Sequence, residues 1–182
     1  MRILAISGSL NEKGTITTFV RAIAALAPED MQVTLYDGLG SLPHFSPDRD
    51  GDDAPAAVAD LRGQLQAADS VLICTPEYAY GMPGSLKNAL DWTVSSGEFV
   101  NKPTAALSAS PYPTGGERAH TSLLLTLTAL NAVVPEGCAL TVPLVRMKMD
   151  AGGTITDPAT AQALRSVLDA LARAIWARAE TT

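Results

Sequence analysis

Ile73-Cys74-Thr75-Pro76-Glu77-Tyr78-Ala79-Tyr80-Gly81-Met82-Pro83-Gly84-Ser85-Leu86-Lys87-Asn88-Ala89-Leu90-Asp91-Trp92 is the stretch that decides the fold. It begins as the end of an apolar, β-branched run over residues 70–75, the composition of a strand buried on both faces. A loop with proline at each end follows, carrying Glu77, Tyr78 and Tyr80. From Pro83 to about Trp92 the composition is helical, with Pro83 near the first position, where a missing N–H costs nothing. In an open parallel sheet, loops at the carboxyl ends of strands form the ligand crevice, so this loop is expected to be half of a binding site.

Working outward, residues 2–7 form an apolar run ending in Gly8-Ser9, and Phe19, Ile23, Leu26 and Ala27 recur at helical spacing. Residues 31–36 read as a second strand. Val58, Leu61, Leu65 and Ala68 mark a second helix. Residues 103–110 give a fourth strand, and Leu123, Leu124, Leu127 and Leu130 a fourth helix. Residues 139–145 give a fifth strand, and Asp157-Pro158 opens a last helix with Leu164, Leu168, Leu171 and Ile175 as its stripe. Strands and helices alternate five times. The expected fold is an α/β three-layer sandwich, flavodoxin-like, with a five-stranded parallel sheet of order 2-1-3-4-5 in a single domain over 1–182. That order sets residues 8–18 beside residues 76–83.

Composition narrows the function. The 182 residues are 47% hydrophobic and 18% charged, enough for one sizeable core. Thirteen basic against nineteen acidic residues leave a charge of −6, with no local basic cluster, which argues against a nucleic-acid partner. No run approaches the roughly 18 apolar residues of a membrane span, and the N-terminal apolar run is too short for a signal peptide. Cys74 and Cys138 lie in apolar runs as core thiols, which suits the cytoplasm. The aspartates at 48, 50, 52 and 53 lack the ligand spacing of a calcium loop and read as solvated. His44 and His120 have no metal-ligand partner at useful spacing. Ser7, Ser9 and Ser110 lie outside any Gly-x-Ser-x-Gly elbow, which argues against a hydrolase.

Residues 8–18 are rich in glycine and hydroxyl groups and precede a helix N-terminus, where free N–H groups and the dipole favour a phosphate. They match neither the P-loop nor Gly-x-Gly-x-x-Gly. A flat, electron-accepting ring with a phosphate tail suits this loop together with the Tyr78–Tyr80 loop, and FMN has that shape. The plainer reading is that Tyr78 and Tyr80 cover the sheet end, Trp92 is core and Glu77 is solvated.

Three segments carry a resemblance: Ile6-Ser7-Gly8-Ser9-Leu10; Thr75-Pro76-Glu77-Tyr78 with the run from Pro83 to Trp92; and Ser108-Ala109-Ser110-Pro111 with Gly115-Gly116. In that order, across essentially the whole chain, the sequence resembles the NADPH-dependent FMN reductase family, which includes quinone, azo-dye and chromate reductases. The resemblance implies non-covalent FMN, NADPH or NADH as co-substrate, a small-molecule acceptor, and a homodimer or homotetramer. It implies phosphate contacts from Ser9, Asn11, Thr15, Ile16 and Thr17, and ring contacts from Pro76, Glu77, Tyr78, Ala79 and Tyr80. Ser110, Gly115 and Gly116 would stand near the ring's pyrimidine edge. No side chain is expected to act as a general acid, and no metal is expected. The chain departs from the family pattern at Asn11, where arginine is usual, and at Ala79, where asparagine is common. An ungapped match places Gly14 and Ile16 where Ser-x-Asn is usual, while a shift of one residue places Thr15 and Thr17 there. Two rival readings follow: an FMN-binding electron carrier without pyridine-nucleotide activity, and a family member that has lost tight FMN binding.

Overall fold

The computed structural model describes residues 1–51 and 54–180, so Asp52 and Asp53 of the acidic loop lie outside the described residues. The chain runs β1 (Arg2–Ser7), α1 (Thr15–Ala25), β2 (Gln32–Tyr36), α2 (Ala56–Ala67), β3 (Ser70–Thr75) and α3 (Gly84–Asp91). It continues with β4 (Thr104–Ala109), α4 (Glu117–Ala129), β5 (Ala139–Val142) and α5 (Pro158–Ala179). All neighbouring strands pair in parallel, and the order is β2-β1-β3-β4-β5, as the alternation predicts.

The two faces of the sheet are covered by different helices because successive strand residues point to opposite sides. Ile3, Ala5, Leu72 and Cys74 pack with Phe19 and Ile23 of α1 and Leu164, Leu168 and Leu171 of α5. Leu4, Ile6, Val71 and Ile73 pack instead with Leu61 and Leu65 of α2, Leu86 and Leu90 of α3, and Leu123 and Leu127 of α4. The stripes of α3 and α4 therefore cover the sheet, and only outlying residues such as Val94 and Leu125 remain exposed. β5 is shorter than the expected 139–145. Pro143 has no N–H to continue the ladder, Leu144 turns left-handed (φ 52°), and Val145–Met147 form a 3₁₀ turn.

Burial pushes the Cys74 thiol up to about 12 and the Cys138 thiol to about 11, so both are inert core groups. Among the described residues no helix is long and apolar enough to cross a membrane, and no group of His, Cys, Asp or Glu could hold a metal ion.

Asp157 caps α5 as its position before Pro158 predicts. Its Oδ2 accepts from Thr160 Oγ1 (2.5 Å), Thr160 N (2.9 Å) and Lys148 Nζ (2.9 Å). The Thr160 hydroxyl bond first, then the Lys148 bond, lower its pKa from 3.8 to about 2. A lowered folded-state value means stability that is present above 3.8 and lost as pH falls toward about 2. Thermal melts of Asp157→Asn beside wild type are expected to differ at neutral pH and to converge across that window; a difference that persists below it would contradict the assignment.

Candidate active site

The loops that follow β1, β3 and β4, with the 3₁₀ turn after β5, enclose a cavity of about 930 Å³. That volume suits a cofactor-sized ligand. The topology brings the first and third loops together, and Gly8 permits the contact. Its N–H donates to Cys74 O (2.8 Å), and a Cβ there would stand 3.1 Å from Leu86 Cδ2 and 3.2 Å from both Pro76 Cδ and Thr75 Cα.

The first loop wraps the N-terminus of α1. Gly14 is the N-cap and has no side chain to offer, and among the described residues the N–H groups of Thr15, Ile16 and Thr17 have no acceptor. Ser9, Asn11, Lys13, Gly14, Thr15 and Ile16 line the cavity. Asn11 shapes the loop through its amide: Asn11 Oδ1 accepts from Lys13 N, and Asn11 N donates to Ser9 Oγ, each at 3.2 Å. The Thr17 side chain turns inward. It is 4% exposed, pairs with Ser7 Oγ (2.9 Å) and donates to Asn11 O (2.9 Å), so it holds the loop from behind and offers the cavity no hydroxyl.

In the third loop, Tyr78 and Gly81 exchange both backbone hydrogen bonds (2.9 and 3.0 Å) around Ala79 (φ 48°) and Tyr80 (φ 64°). Positive φ at both central residues is the geometry of a type I′ hairpin turn, which favours Asn or Gly. Alanine at 79 therefore carries backbone strain. The turn lifts Tyr78 and Tyr80 to the cavity rim, 57% and 71% exposed. Arg118 lies over the Tyr80 ring, its Cζ 4.2 Å from the centroid.

Glu77 lines the cavity and is also tied into the fold. Its Oε2 accepts from Arg118 N (3.0 Å) and Ala119 N (3.1 Å), so it caps α4 from a different loop. Gly116, the N-cap of α4, has φ 80°, and Gly115 has φ 64°. Both glycines are buried; a Cβ at Gly115 would meet Pro143 N at 3.1 Å, and one at Gly116 would face Glu77 and Ser108. They turn the chain behind the wall, while Ser110, Pro111, Tyr112 and Thr114 form the wall itself. Ser110 Oγ accepts from Tyr112 N (3.1 Å) and fixes that loop.

The cavity also gathers residues that sequence reasoning did not select: Lys13, Tyr112, Arg118 and Arg146. Three of them, Lys13, Arg118 and Arg146, are cations that come from separate parts of the chain, so no charge run announces them. The remaining specific motif, residues 87–92, stands outside the cavity. Asn88 Nδ2 and Trp92 Nε1 both donate to Pro43 O (2.9 Å each), Asn88 Oδ1 accepts from Phe45 N (2.8 Å), and Lys87 pairs with Asp91.

The profile of the NADPH-dependent FMN reductase family matches residues 1–145. The chain belongs to that family. Among relatives of this FMN reductase family, the NAD(P)H-dependent FMN reductase PA1204 of Pseudomonas aeruginosa is 33% identical over 180 residues, 98% of this chain and 96% of the relative. A 2-hydroxy-1,4-benzoquinone reductase of Burkholderia sp is 33% identical over 181 residues, covering 98% and 97%. Among solved structures, the flavoenzyme NAD(P)H:(acceptor) oxidoreductase FerB of Paracoccus denitrificans superposes with a TM-score of 0.85 at 28% identity, covering 96% of each chain.

Proposed function

We propose that the protein is an NAD(P)H-dependent, FMN-containing reductase of a small acceptor such as a quinone, free flavin, azo compound or metal oxyanion. The observation that carries this reading is one cavity that joins an N–H cradle at the start of α1 to a rim of exposed tyrosines. A phosphate suits the cradle, and a flat ring suits the rim. When bound, FMN supplies the hydride chemistry, accepting from NADPH or NADH and donating to the acceptor.

The chain's own residues then bind and orient. Ser9, whose O–H has no acceptor among the described residues, and the N–H groups of Thr15, Ile16 and Thr17 would hold the phosphate. Asn11 and the inward hydroxyl of Thr17 keep that loop in shape. The backbone of residues 76–80 borders the ring, with Tyr78 and Tyr80 leaving one face open to nicotinamide and acceptor in turn. Ser110 positions the opposite wall, and Gly115 and Gly116 act through the turn they make. A single domain, a cytoplasmic location and a homodimer or homotetramer belong to the same proposal.

Anaerobic mixing with NADPH tests the function. Loss of the flavin's visible absorbance with no partner protein, restored by a quinone, is the expected result. A flavin that binds and stays oxidised would move the protein to the electron-carrier reading, and a chain that leaves FMN fluorescence unquenched would end both. Light scattering on the same preparation should give two or four copies; a monomer would end the oligomer proposal.

A further inference from the structure

We propose that Arg146 is the cation that holds the cofactor's phosphate, in the place where Asn11 brings no charge. The inference rests on the FMN reading above. It begins with where the guanidinium stands: Arg146 Nε reaches Thr15 Oγ1 at 3.4 Å, across the first turn of α1, and Arg146 lines the same cavity as Ser9 and Thr15. At 3.4 Å this is a long N–H···O contact, a loose hold that a better acceptor displaces.

The backbone beneath Arg146 is fixed although its side chain is exposed. Val145 is fully buried, its N–H donates to Ser110 O (3.0 Å), and Leu144 N donates to Tyr112 O (3.3 Å). Leu144 adopts φ 52°, a conformation costly for leucine, and the turn it makes carries Arg146 over the helix terminus. The family profile ends its match at residue 145, one residue before this side chain.

Other cations have other duties. Arg2, Arg62, Lys87 and Lys148 are in ion pairs, and Arg21 Nη1 donates to Glu12 O. Of the three cations that line the cavity, Arg118 is stacked on Tyr80, and Lys13 has only a flexible stem and a strongly hydrated ammonium. Among the described residues no carboxylate lies within ion-pair distance of Arg146. A planar guanidinium offers two parallel donors to a phosphate, and the uncharged amide of Asn11 cannot replace that.

The test is a fluorescence titration of wild type, Arg146→Gln, Arg146→Lys and Lys13→Gln with FMN and with riboflavin, which lacks the phosphate. Arg146→Gln is expected to weaken FMN binding about 10- to 100-fold, Arg146→Lys by less, and Lys13→Gln by under about threefold. Riboflavin affinity and the melting temperature should be the same in all four proteins. The proposal is overturned if Arg146→Gln binds FMN within about threefold of wild type, if Lys13→Gln carries the larger loss, or if the melt of Arg146→Gln shows a disrupted fold. If wild type itself fails to bind FMN, the functional reading falls first and takes the proposal with it.

Discussion

A Trp92→Ala variant is expected to lose about 3–5 kcal/mol of stability while still binding FMN within about threefold of wild type. The indole is fully buried, which makes truncation a large cavity. Its edge meets Phe45 with ring centroids 5.1 Å apart, and its Nε1 holds Pro43 O. Its carbonyl accepts from Arg62 Nε (3.1 Å) and Nη2 (2.7 Å), so the C-terminus of α3 is joined to α2 as well. For a chain of this length, such a loss lowers Tm by roughly 6–20 °C. Trp92→Phe keeps most of the volume and should lose less than half as much. Scanning calorimetry with FMN titration on the folded variant reads both quantities. A Tm within a few degrees of wild type, or abolished FMN binding in a folded protein, would mean that the motif ending at Trp92 serves the cavity directly.

That outcome bears on what a motif tells a reader of sequence. The run from Lys87 to Trp92 is the most specific part of the resemblance, yet none of its side chains lines the cavity. It fastens residues 43–45 to α3, and so explains why a long irregular connection after β2 keeps its place. Strand order and the juxtaposition of the first and third loops were legible because apolar periodicity and the β-α alternation are local signals. Trp92 as core and the cap at Asp157 were equally legible, each from one residue in its neighbourhood.

What stayed illegible depends on three-dimensional neighbours. Thr17 and Thr15 are alike in sequence, but helix phase turns one hydroxyl inward to Ser7 and leaves the other at the cavity. The tie from Glu77 to α4 was hidden because the donors to its carboxylate, the first N–H groups of α4, lie about forty residues away. Gly115 and Gly116 marked a loop correctly, while their burial behind its wall follows from β5 at Gly115 and from Glu77 and Ser108 at Gly116. Lys13, Arg118 and Arg146 come to line one cavity, together with Glu77 and Glu117, only after the sheet has gathered the loops.

Gly8→Val should be the most damaging change at the site, costing about 3 kcal/mol and weakening FMN binding at least tenfold. The glycine's φ is unremarkable; what fills its surroundings is the constraint. Leu86 is fully buried, Pro76 is buried, and Thr75 Cα is backbone, so none of the three atoms near a new Cβ can swing away. A single methyl group in Gly8→Ala asks for shifts of a few tenths of an ångström, and the valine adds two more carbons at the same point. The relief available is to part the first loop from the third, and those loops are opposite walls of the cavity. Gly84→Ala is the control, since a Cβ there meets nothing within 4 Å and α3 begins at that residue. It should be neutral or stabilise by up to about 1 kcal/mol. Urea unfolding of the three variants, followed by FMN titration of those that fold, gives the ordering directly. If Gly8→Val unfolds with the wild-type midpoint and binds FMN as tightly, then the two loops are not held by their contact at Gly8, and the cavity's width must be set from the β4 and β5 side.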